Sequence, residues 1–204
     1  SITVPPQEKI ERRLTTDRIV ADVALPAGYD PAEAQSVQRV HLTLTQPSMD
    51  DQTDDWSRLQ TAIRKACGLE NVHVKLSLLR QVGGIIREGA WKVTAVINVR
   101  AWHCENCPPE LLALYPGHVA EDAPLWGIAV DIGTTTVSLW LTDLLTGKVC
   151  KQLAEYNRQI SRGEDVISRI IFASKNDGDE TMRSLVLGTI NELVERACKR
   201  AKAK

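Results

Sequence analysis

Apolar and polar positions alternate at residues 37–45 (VQRVHLTLT), where Val40, Leu42 and Leu44 stand against Arg39, His41 and Thr43. Period two predicts a half-buried strand. Residues 91–99 (WKVTAVINV) read as the clearest strand of this half, with further candidates at 18–25 (RIVADVAL) and 72–78. Between them the period lengthens. Trp56, Leu59, Ile63 and Ala66 fall at helical spacing, and Gly68 supplies the stop. Residues 78–82 alternatively open a short helix that Gly83-Gly84 would break. Further on, an apolar run from Gly127 ends on Asp131, Gly133 and three threonines make a turn, and a second apolar run covers 137–141. A hairpin turn at 143–148 leads into a third strand at 149–156. Ser161 and Glu164 have capping-box spacing ahead of a helix whose Val166, Ile167, Ile170 and Ile171 form one apolar face. After a turn at 176–179, the last helix runs from Glu180, with Met182, Val186, Ile190, Leu193 and Ala197 on a buried stripe. It ends in a basic tail with no Gly or Pro stop.

This pattern divides the chain. Residues 1–16 are polar, carry Pro5-Pro6 and read as a linker or arm. Strands alternating with helices make a small α+β domain at 17–123, whose last part, 101–123, is a connector rich in Pro, Gly and Cys. Residues 124–204 form the other part, beginning with the strand-turn-strand segment.

Composition narrows the classes. With 43% hydrophobic and 25% charged residues, the 204-residue chain has the balance of a soluble globular protein, long enough for two small domains. A net charge of -1 offers no footprint for nucleic acid or an anionic membrane surface. No apolar stretch approaches the ~20 residues of a bilayer span. Five cysteines, odd in number and mostly scattered, fit a reducing cytoplasm better than a disulfide framework.

Three stretches carry candidate chemistry. At residues 131–136 (DIGTTT) the turn can aim successive N–H groups at an anion, with Gly133 allowing close approach and Thr134, Thr135 and Thr136 adding hydroxyl donors. Asp131, at the strand end, suits a magnesium ion held directly or through water beside phosphates. The competing reading is an ordinary hairpin, in which Asp and Gly serve turn geometry. The acidic loop with Asp50, Asp51, Asp54 and Asp55 precedes a helix, where a positive helix end favours negative charge, so capping competes with a metal site. Cys104 and Cys107 form a CxxC followed by Pro108-Pro109. Zinc would want a second such pair, and a redox motif would open a helix, so free thiols in a loop are expected.

Residues 127–143 resemble the first phosphate hairpin of the actin-like ATPase superfamily, shared by sugar kinases, acetate kinase and heat-shock chaperones. The flanks are more specific. Residues 163–170 (GEDVISRI), preceded by Asn157 and Gln159, and residues 40–59 (VHLTLTQPSMDDQTDDWSRL) are similar to stretches of the reductive activators of corrinoid proteins. That resemblance implies an N-terminal [2Fe–2S] ferredoxin domain, a linker, a middle domain and a large actin-like, ribonuclease H-like ATPase domain, with residues 1–16 as the linker, 17–123 as the α+β middle domain and 124–204 as the truncated first portion of the ATPase domain. Such a protein uses ATP to return Co(II) corrinoid to Co(I). By position, Asp131 would be the Mg²⁺-associated carboxylate and residues 133–136 the first phosphate loop. Glu164 and Asp165 would lie on the cleft side or serve as caps. The implied partner is a corrinoid protein of a methyltransferase system, with a homodimer as a further expectation and with neither nucleic acid nor membrane. Alternatives are a piece of a sugar-kinase-like or other actin-like ATPase, and a non-catalytic interaction module. No ferredoxin spacing occurs in this chain, nor does a second phosphate turn. The start and end therefore read as the edges of a fragment, one that binds ATP weakly or not at all.

Overall fold

The computed structural model describes residues 27–30, 34–99 and 107–202. The expected arm at 1–16, the strand at 18–25 and Cys104 lie outside them. Two compact units divide between Leu125 and Trp126.

The first unit holds β1 (Val37–Thr43), α1 (Asp55–Cys67), β2 (His73–Val74), α2 (Leu76–Leu79), α3 (Val82–Glu88), β3 (Lys92–Asn98) and β4 (Glu110–Pro116). The sheet order is β1-β3-β4-β2; only the β2–β4 pair is parallel. Leu59 and Ile63 of α1 and Ile86 of α3 are fully buried against Val93 and Ile97 of β3. As the apolar spacing requires, α1 starts where Asp54 accepts from the Ser57 N–H at 2.9 Å. It stops where Gly68 takes the left-handed conformation, φ 69°.

Three expectations fail here. Residues 72–78 are not a strand: β2 spans two residues, after which the Leu78 and Leu79 N–H groups both turn back to the Lys75 carbonyl at 2.9 Å. Gly83-Gly84 does not break a helix but lies inside α3. A Cβ on Gly83 would stand 2.8 Å from an Asp55 carboxylate oxygen. Packing of α3 against α1 therefore outweighs the roughly 1 kcal/mol that glycine costs a helix. Finally, the expected connector contains β4. Its buried residues, Leu111 and Leu114, are three apart, off the strand period. A shift of register between Val96 and Ile97 leaves Leu112 without an opposite residue, and so both leucines face the core.

The remainder of the connector folds back onto β1. Arg39 donates to the Glu121 carbonyl at 2.5 Å and to that of Ala123, and the His118 ring stacks on His41 with centroids 5.0 Å apart. Cys107, expected as a free thiol, is disulfide-bonded. Oxidation does not need the helical context that a redox CxxC implies.

The second unit is an antiparallel meander of β5 (Trp126–Ile132), β6 (Thr136–Asp143) and β7 (Lys148–Tyr156), followed by a 3-10 turn (Arg158–Arg162), α4 (Val166–Ala173) and α5 (Gly178–Ala201). Val137, Leu139 and Leu141 of β6 and Leu153 of β7 pack on Leu193 and Ala197 of α5. The helical stripe thus buries as its spacing requires. Among the described residues β5 is the edge strand of this sheet, with Ile128, Val130 and Ile132 exposed. No described helix is long and apolar enough to cross a membrane.

In the acidic loop, Asp51 pairs with Arg58 at 2.6 Å, and the Arg58 guanidinium is almost wholly buried. Hydrogen bonds from Thr53, and then from Arg58, lower the Asp51 carboxyl from its ordinary 3.8 to about 2. A depressed folded-state value means stability that is present above pH 3.8 and lost as pH falls through about 2. Denaturation between these two pH values should therefore show a steep loss of stability in the native chain and a shallower one in Asp51→Asn, measured by urea midpoint.

Candidate functional site

β5 and β6 are joined by a three-residue turn, Gly133, Thr134 and Thr135. The turn closes by a bond from the Gly133 N–H to the Thr136 carbonyl at 2.9 Å. A Cβ on Gly133 would meet that same oxygen at 2.9 Å, so the hairpin itself demands glycine. Thr134 and Thr135 are exposed, as is Asp131 at the end of β5, opposite Ser138.

All three turn carbonyls are tied to the segment that follows β7. Asn157 donates from Nδ2 to the Gly133 oxygen at 2.9 Å and from its backbone N–H to the Thr135 oxygen at 2.8 Å. Arg169 Nη2 donates to the Thr134 oxygen. Asn157 is 1% exposed and Arg169 is 8%. With the carbonyls directed into the protein, the electronegative side of the turn is used up. The Thr134 and Thr135 N–H groups have no acceptor among the described residues. Such a turn leaves N–H donors opposite its inward carbonyls on exposed residues, which is what an anion requires.

The supporting segment is built locally. Asn157 Oδ1 accepts from the Gln159 N–H at 3.0 Å and caps the 3-10 turn, while Gln159 Nε2 reaches the Met182 carbonyl of α5 at 2.9 Å. The expected capping box of Ser161 and Glu164 does not form. Gly163 ends the 3-10 turn in extended backbone, and Asp165 caps α4 instead, accepting from the Ser168 N–H at 2.9 Å and its hydroxyl at 2.6 Å. Those Ser168 bonds hold the Asp165 carboxyl below its ordinary value. Glu164 is exposed. The structure thus gathers residues 133–135 with Asn157 and Arg169, leaves Asp131 exposed at the strand end, and gives Asp165 a capping task. Sequence reasoning placed Asn157 and Arg169 within the stretches that carry the family resemblance but assigned neither a role at the turn. The one available hint was an arginine in the middle of an otherwise apolar helical stretch.

No group of three or more His, Cys, Asp or Glu side chains is arranged for a metal ion among the described residues. Cys67, Cys150 and Cys198 are free and belong to separate elements. This donor set does not fit an iron–sulfur cluster.

The chain belongs to the family of reductive activators of corrinoid proteins, two of whose regions match it in succession. The RACo linker region matches residues 33–121, and the RACo middle region matches residues 126–204. The corrinoid activation enzyme RamQ of Eubacterium limosum is 38% identical over 84 residues, 40% of this chain and 14% of RamQ. A solved structure of a reductive activator for corrinoid, iron-sulfur protein superposes with a TM-score of 0.68 at 34% identity, over 90% of this chain and 27% of that one. The chain thus spans well under a third of either relative. Its mixed α+β architecture agrees with that of the activator.

Replacing Asn157 by Ala should leave the Gly133 carbonyl unsatisfied and the 3-10 turn uncapped. The expected loss is about 2–4 kcal/mol, from a buried unpaired group and a missing cap together. The denaturant midpoint followed by tryptophan fluorescence measures it, with faster amide exchange at Gly133 as the local readout.

Proposed function

We propose that this chain is part of an ATP-dependent reductive activator that returns inactive Co(II) corrinoid protein to the Co(I) state. The carrying observation is the turn at residues 133–135, whose carbonyls face inward and whose donors face outward. Family membership supports the same reading. In this account residues 124–204 are the first portion of an actin-like ATPase domain. Thr134, Thr135 and Thr136 bind nucleotide phosphate through N–H and hydroxyl groups, and Gly133 keeps the turn tight. The Asp131 carboxylate has no hydrogen-bond or ion-pair partner among the described residues, so it is available to a phosphate-bound Mg²⁺ through water. Glu164 lies on the cleft side.

Electrons come from a [2Fe–2S] cluster in a domain outside this chain, since the cysteines here do not fit one. The partner is the corrinoid protein of a cytoplasmic methyltransferase system, and the activator works as a homodimer. ATP promotes the difficult reduction by binding states of the complex unequally. Each tenfold shift of a one-electron equilibrium corresponds to ~59 mV.

The test is made on the full-length protein that carries this chain, mixed with a Co(II) corrinoid protein and a reductant. Mg-ATP should speed the appearance of the Co(I) absorption spectrum, and Asp131→Ala should abolish most of that stimulation while leaving the fold intact by circular dichroism. A spectrum indifferent to ATP would overturn the proposal.

A further inference from the structure

α4 is built inside out. Val166, Ile167, Ile170 and Ile171 are 53%, 71%, 62% and 51% exposed, and the helix's one buried residue is Arg169. A surface helix normally buries its apolar side and leaves arginine in water. Here the guanidinium is directed inward, behind the turn, where Nη2 donates to the Thr134 carbonyl and Nε to the Gly163 carbonyl at 2.9 Å. No carboxylate among the described residues pairs with it. A buried cation held by carbonyl dipoles alone lacks a counter-charge, and desolvation makes that costly. The seat is nevertheless specifically shaped. A Cβ on Gly163 would come 2.9 Å from the Arg169 backbone nitrogen and 2.9 Å from Ser168 Cβ, so glycine is what lets the Gly163 carbonyl approach the first turn of α4.

We propose that Arg169 is a positioning residue for the phosphate turn. It orients the Thr134 peptide so that its carbonyl faces in, and its uncompensated charge raises the turn's affinity for a polyphosphate anion bound on the outer side. The inference rests on the phosphate reading of residues 133–136. It adds that α4, through this one side chain, sets the geometry of the site. An anion at the turn supplies the counter-charge that no described residue does. Lysine at the position keeps the charge but cannot bridge two carbonyls in a fixed fork.

The experiment uses the 204-residue chain with sodium tripolyphosphate as the probe, followed by amide NMR, for the native sequence, Arg169→Lys and Arg169→Met. In the native chain tripolyphosphate should shift the amides of residues 133–136 at millimolar concentration. In Arg169→Met, exchange at the Gly133 and Asn157 amides should quicken and tripolyphosphate binding weaken, each roughly tenfold or more, the scale of a lost charge-assisted hydrogen bond. Arg169→Lys should recover part of the affinity but not the exchange protection. Unchanged amides of α5 serve as the control for folding. If Arg169→Met keeps native exchange at Gly133 and Asn157, the positioning role is wrong, whatever the probe does. If the native chain shows no shift at residues 133–136, the electrostatic role is overturned, while the exchange data still decide the positioning role and the ATP test on the full-length protein decides the phosphate reading.

Discussion

Peptide groups are dipolar, so a turn whose N–H groups point outward must place its carbonyls elsewhere. In this protein they are placed on two side chains and a backbone amide supplied from some twenty to thirty-five residues further along the chain, and the second unit is arranged around that debt. Asn157 sits where β7 ends, so its backbone and side chain reach the Thr135 and Gly133 carbonyls together. The 3-10 turn that Asn157 caps brings the chain to Gly163, and Asp165 starts α4 at the angle that places Arg169 under Thr134. Each step is a directional hydrogen bond rather than an area of apolar burial.

That distinction has a mechanical consequence. Apolar surfaces tolerate sliding because the free energy follows area, whereas a hydrogen bond weakens steeply once its angle falls away. Held by caps and by Arg169, α4 keeps a defined orientation while four branched apolar side chains stay exposed. The first unit follows the other principle. Its sheet and the helices α1 and α3 are joined by Leu59, Ile63, Ile86, Val93 and Ile97, all fully buried, and its buried cation, Arg58, has the carboxylate partner that Arg169 lacks among the described residues. The two buried arginines are thus opposites in charge balance.

Short-range regularities decided much of the fold, and they were legible. β1, α1, β6 and α5 repeat their apolar residues at the period of the element they form, while β3 reads as a strand from a continuous buried run. The failures occurred where a distant partner overrides that period. β4 escaped detection because the shifted register opposite Val96 and Ile97 puts Leu111 and Leu114 on one face with two residues between them. Gly83-Gly84 reads as a break in isolation and becomes helix because Asp55 approaches it closely. Ser161 and Glu164 have the spacing of a capping box, but Asn157 and Asp165 occupy the two cap positions.

The turn at residues 131–136 shows the same division at the level of function. By itself the sequence determined that a glycine and three hydroxyl residues follow an acidic strand end, and local sterics at Gly133 are enough to make that a tight hairpin. It left open whether the turn serves geometry or an anion, because both readings use the same residues. Only the tertiary structure decided which way the peptide groups point. Their orientation depends on donors at Asn157 and Arg169 that no local pattern brings together, and a peptide dipole is free to point either way until something distant holds one end.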